Sequence, residues 1–285
     1  MSRWSEALRD NPGARLRSVP WPVWIAAIVF AFLVVAALAP DLVTGVDPTA
    51  MARRQTLRPP SGEHLFGTDQ LGRDVFARTV HATRISLGIG VAATAIGFGL
   101  GAVIGLLASG PSRLLDAALM RLTDTMLAFP GMLLALVVIA VSGPGARNSA
   151  IAIGLATIPY YARLVRSQAL EVRHSGYVEA ARTLGQSRSK IALRHVLPNA
   201  LTTLVVLATL GVGTAIVAGA GLSFLGLGVI PPTPEWGSML SEGRNLVGRA
   251  WWIGVFPGLF VVASVVSITV LSRYWQRLAE GRTAR

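Results

Sequence analysis

Six apolar runs, each close to the length a helix needs to cross a bilayer, limit what this chain can fold into. A hydrocarbon core of about 30 Å takes about 20 apolar residues in a helix. The runs are Val23–Ala39, Ile85–Ser109, Leu122–Val141, Ala150–Leu164, Leu201–Leu222 and Trp251–Leu271. Only 14% of the 285 residues are charged, against about 25% in soluble domains. The expectation is an all-α membrane protein with six transmembrane helices. The first run ends in Ala37-Leu38-Ala39, which resembles a signal-peptide cleavage site, but Pro40 follows directly. An uncleaved helix is expected.

Basic residues give the orientation, because they accumulate on the cytoplasmic side. With the N-terminus inside, 17 of the 26 basic residues fall in inner segments and 9 in outer segments of nearly equal total length. This supports N-in, C-in. The first outer loop runs against it, with Arg53, Arg54 and Arg58. The chain divides into a cytoplasmic tail (1–22), a first span (23–39), an extracytoplasmic loop with a membrane-edge segment (40–84), a core of five spans (85–271) carrying a cytoplasmic loop (175–199), and a cytoplasmic tail (272–285).

The net charge of +12 is explained by this loop bias. No base-reading motif accompanies it, so nucleic acid is not an expected partner. There is no Cys, which excludes disulfides and thiol chemistry, and His64, His81, His174 and His195 show no metal-ligand spacing. No G-x-x-x-x-G-K-[ST] motif is present, and no triad or paired carboxylates share a plausible face. Apart from Arg121 and Asp124, one turn apart near the cytoplasmic edge and able to pair, the spans hold no central Asp, Glu, Lys or His. That argues against an ion-coupled carrier. No catalytic residue, metal or cofactor is expected: this is a membrane passage without its own engine.

Gly97, Gly101 and Gly105 form a small-xxx-small ridge, suited to close helix contact inside the bundle or with a second subunit. Pro130, Pro159 and Pro257 are expected to kink their helices. The loop EAARTLGQSRSKIALRHVLPNA (179–200) is polar and helix-competent. Ser175 can cap a helix over Tyr177–Leu184, and Gly185 suits the left-handed position that ends it. Ser187 can cap a second helix to about Val196, stopped by Pro198. Ala180 and Ala181 leave room for a partner surface. Leu184, Ile191 and Leu193 offer apolar anchors, with Glu179, Arg182 and Arg188 at the rim. Two readings stand open on the residues alone: a helix docking in a partner's groove, or an amphipathic helix on anionic lipid.

The segment resembles the EAA loop of ATP-binding-cassette importer permeases. Glu179-Ala180-Ala181, then Gly185 four residues on, then Leu197-Pro198 match its core. FGTDQLGRDVFAR (66–78), DAALMRLTDTMLAFP (116–130) and LSFLGLGVIPPTPEWGSMLSEGR (222–244) are similar to stretches of the dipeptide/oligopeptide/nickel permeases, in their C-type subunit. The resemblance covers about residues 64–260. It implies the type I importer permease fold in a bacterial or archaeal cytoplasmic membrane. The implied partners are a homologous second permease (a heterodimer), two ATPase subunits that bind ATP and magnesium, and an extracytoplasmic binding protein. It also implies that Tyr177, Glu179, Ala180, Ala181, Leu184, Gly185 and Pro198 couple the chain to the ATPases, and that loops 41–84 and 222–250, with Trp236, meet the binding protein. Peptides are the leading solute; nickel, a metal chelate, glutathione or another small solute are alternatives, and a stand-alone carrier or channel is the rival class. The tail LSRYWQRLAEGRTAR (271–285) departs from the family's usual ending, and Trp275 and Arg277 in it suit an interface anchor.

Overall fold

A computed structural model describes residues 19–191, 194 and 197–279. The described residues form helices and short turns: α1 (Trp21–Leu38), α2 (Val75–Ala108), α3 (Arg113–Leu127), α4 (Gly131–Ser142), α5 (Ala146–Arg173), α6 (Gly176–Thr183), α7 (Arg188–Ile191), α8 (Leu197–Phe224), α9 (Trp236–Gly243), α10 (Val247–Ala250) and α11 (Trp252–Ala279). Among them α1, α2, α8 and α11 are long and apolar enough to cross a membrane, and α3 with α4 makes a fifth span if the bent pair counts as one.

Two expected boundaries need correction, and the fourth run stands apart from the other spans. The second run was expected to start its helix at Ile85, but α2 begins ten residues earlier. Asp74 caps it by accepting from the Ala77 N–H at 2.8 Å, and the early turns bury Arg78 with its charge paired. Hydropathy marks where this helix becomes apolar, not where it starts. The third run is two helices meeting at 89°, broken around Pro130, which has no amide hydrogen to continue the ladder. The fourth run sits in α5, which is not apolar enough to qualify as a span by itself. It lies among α2, α4 and α8, so protein rather than lipid covers much of its surface.

The bundle is organised by close backbone approach. A Cβ at Gly97 would lie 2.1 Å from Thr157 Oγ1, at Gly101 2.6 Å from Tyr161 Cβ, and at Gly105 2.5 Å from the Ala162 carbonyl. Residue numbers rise together on both sides, so α2 and α5 run parallel. Where no hydrophobic force separates helix from lipid, such approach lets dispersion hold helices together. Gly90 likewise admits Ile216 of α8, and Gly211 of α8 admits the Tyr161 hydroxyl. One apolar core joins Leu33, Val75, Ile216, Trp236, Met239 and Ile253. A second joins Ile89, Ala135, Ile139, Ile153 and Leu222.

Candidate functional site

Three places carry polar chemistry: the loop after α5, the layer over the start of α2, and the junction of α3 with α5. In the loop, α6 and α7 are separated by Gly185, whose φ of +75° is the left-handed conformation that ends a helix at little cost only for glycine. The Ser175 hydroxyl donates to the Val172 carbonyl at 2.5 Å, tying the start of α6 to the end of α5. Ser187 accepts from the Lys190 N–H at 3.4 Å. Val178, Ala181 and Ile191 are buried against Ala169, with Leu106 and Val172 alongside. This corrects the expectation for Ala181 and Ile191. They face the chain's own α2 and α5 rather than a partner, because one apolar face of a short helix must be covered to hold it in place. Leu184 stays 80% exposed. The backbone at Tyr177, Glu179 and Ala180 is helical, but their side chains lie outside the described residues, as do Leu193 and Val196. Pro198 stands in the first turn of α8, where its missing amide hydrogen costs nothing. Its side chain too lies outside the described residues.

At the other end, the stretches 66–78 and 222–244 interlock. Arg73 Nε donates to Asp69 Oδ2 at 2.6 Å, and Arg78 Nη1 donates to the same oxygen. Both guanidiniums also reach Glu242 on α9, each at 3.1 Å. Asp69 Oδ1 accepts from the Leu71 and Arg73 N–H groups at 2.8 and 3.0 Å. The side chains of Asp69 and Arg78 are 1% exposed. Beside them Glu235 caps α9, accepting from the Gly237 and Ser238 N–H groups, both at 2.9 Å. Ser86 donates to Glu235 at 3.1 Å, and Trp236 Nε1 donates to the Thr79 carbonyl at 3.0 Å. Trp236 is therefore a buried core residue and not an exposed anchor. Gly72 permits the fold-over, since a Cβ there would lie 2.0 Å from the Ala52 carbonyl oxygen. Sequence reasoning did not find this network. The available signal was the basic character of a loop expected to lie outside: Arg73 and Arg78 are two of its six basic residues, and they are internally paired.

At the third place, no ion pair joins Arg121 to Asp124 among the described residues. Asp124 instead accepts from Arg163 Nη2 of α5 at 2.5 Å, and Asp116 accepts two bonds from Arg166, at 2.5 and 2.6 Å. Packing of α3 on α5 brings both carboxylates to guanidiniums on the facing helix, and this replaces the one-turn pairing along α3.

A family model described as the binding-protein-dependent transport system inner membrane component matches residues 97–285. The chain belongs to that family. The permease is 38% identical over 271 residues to a dipeptide transport system permease protein, DppC, of Alkalihalophilus pseudofirmus, covering 95% of this chain and 87% of that one. It is 43% identical over 212 residues to a glutathione transport system permease protein, GsiD, of Escherichia coli, covering 74% and 70%. The fold is similar to the inward-facing MetNI methionine ABC transporter, with a TM-score of 0.59 at 20% identity over 73% of this chain and 97% of that one. This permease is thus a multi-pass membrane subunit of an ATP-binding-cassette importer and not an enzyme; ATPase subunits and a substrate-binding protein complete such a system.

Proposed function

We propose that this permease forms half of the translocation path of a bacterial or archaeal importer for di- and oligopeptides, beside a distinct homologous permease. The reading rests on the dipeptide permease relative, whose similarity runs nearly the whole chain. Six spans follow if α3–α4 counts as one and α5 as another, which its parallel course along α2 supports. Both ends then lie in the cytoplasm, as the basic residues favour. Helix α6 docks in a groove of an ATPase subunit that holds ATP and magnesium. Leu184 is an exposed anchor, Glu179 a rim charge, and Gly185 the hinge to α7. Closure of the ATPase pair moves α6 and rocks the spans between inward- and outward-facing states. The outer segments 41–74 and 225–251 receive the binding protein.

The test is reconstitution of all the subunits in liposomes. ATP-dependent uptake of a labelled dipeptide is expected. Glu179→Lys and Gly185→Pro should abolish uptake and loosen the ATPases while the chain remains inserted. Uptake by this chain alone would instead make it a carrier or channel. Glutathione, itself a tripeptide, is the second reading, favoured by the glutathione permease relative; competition between the two solutes for uptake ranks them.

A further inference from the structure

The Asp124–Arg163 pair is exposed where a membrane helix normally presents apolar atoms. Its side chains are 61% and 57% exposed. Ala162, next to Arg163, stands against Gly101 and Gly105 of α2, and α2 carries no charge from Ile85 to its end at Ala108. The pair therefore lies about 7 Å inside the apolar stretch, at 1.5 Å of rise per residue. A charge facing hydrocarbon at that depth is expensive, and an aspartate is too short to reach back to the interface as an arginine can. This face thus meets water or protein, not lipid tails.

The two cross-helix pairs differ. Asp116 and Arg166 share two bonds and are about half as exposed, 28% and 30%, as suits a strap between α3 and α5. Asp124 and Arg163 share one bond, leaving a carboxylate oxygen and further guanidinium donors for another partner. Tyr160, one turn from Arg163 on the same face, is 58% exposed. The group stands beside the 89° break between α3 and α4, and broken helices commonly flank solute sites in transporters.

We propose that Asp124 and Arg163 contact the charged termini of a zwitterionic peptide on its way through the permease. Asp124 takes the ammonium and Arg163 the carboxylate, with Tyr160 against the backbone between them. One exposed charge of each sign, side by side, complements a solute that carries both; a bare cation would leave Arg163 opposed. This deepens the peptide reading and rests on it.

The experiment uses the complete reconstituted transporter and three solutes: a free dipeptide, its N-acetylated form and its C-amidated form. For each solute the ratio of variant to parent uptake cancels the selectivity of the binding protein. Asp124→Asn should slow the free and amidated dipeptides about tenfold, the loss of one charge-assisted hydrogen bond, and spare the acetylated form. Arg163→Gln should slow the free and acetylated forms and spare the amidated one. The exchange Asp124→Arg with Arg163→Asp keeps a pair between the helices and should still slow the free dipeptide. Parental uptake by the exchange, or equal slowing of all three solutes by the single variants, makes the pair a strut and overturns the contact. A parent complex that imports none of the three overturns the peptide reading, and this contact with it.

Discussion

At Gly97 the neighbouring helix leaves no room for a side chain: a Cβ there would lie 2.1 Å from Thr157 Oγ1 and 3.0 Å from the Gly154 carbonyl oxygen. At Gly99, two residues on, nothing stands within 4 Å. The contrast makes a controlled prediction. Gly97→Leu forces α2 away from α5 and should destabilise the protein by about 1–3 kcal/mol or more, the usual cost of overpacking. Gly99→Leu should leave the melting temperature in detergent within error of the parent. A similar fall for both variants would mean that general glycine loss, not the close approach, matters. The network around Asp69 gives a second prediction. Asp69 is the buried anion shared by Arg73 and Arg78. Asp69→Ala leaves two buried guanidiniums dependent on Glu242, and breaking a buried pair costs about 3–5 kcal/mol. Denaturant unfolding should show that loss, and Asp47→Ala, in an exposed turn of the same segment, should not.

Among the helices, the long apolar ones were legible because a run of membrane-spanning length has few other uses. Their ends were not, because a cap or an ion pair can carry a helix into polar sequence, as Asp74 and Arg78 do for α2. The loop 175–199 was legible as two short helices about Gly185. Which face of α6 looks outward was not, since a short amphipathic helix fits a partner's groove or its own bundle equally well in sequence. Burial of Val178 and Ala181 against α5 resolves this and leaves Leu184 pointing away. The two residues should then separate cleanly when changed. Leu184→Asp should keep the parental melting temperature but lower co-purification of the ATPase subunits and uptake by about tenfold, as loss of a docking anchor does. Val178→Asp buries an unpaired carboxylate and should lower the melting temperature itself. Full ATPase retention in the Leu184 variant would remove this residue from the proposed coupling surface.

Across the whole molecule, the two ends have opposite construction. At the end built from residues 66–78 and 222–256, residues far apart in the chain are cross-braced: Gln70 Nε2 donates to the Glu242 carbonyl at 3.2 Å, Trp252 Nε1 donates to the Thr68 carbonyl at 3.0 Å, and Phe66 stacks on Phe256 with centroids 3.9 Å apart. At the other end, α6 and α7 rest on a small apolar cluster around Ala169. With the proposed orientation, the cross-braced end faces outward and the loop of α6 and α7 inward, an arrangement that suits a machine driven from inside. The absence of any Cys makes this directly testable, because a single introduced cysteine is the only thiol. Glu63→Cys and Val247→Cys lie at exposed positions of the segments proposed to be outside, and Leu184→Cys on the exposed side of α6. In intact cells a membrane-impermeant maleimide should label the first two and reach Leu184→Cys only after the membrane is opened. Labelling of Leu184→Cys in intact cells would invert the orientation, place the lever outside, and remove the basis for driving it with cytoplasmic ATPases.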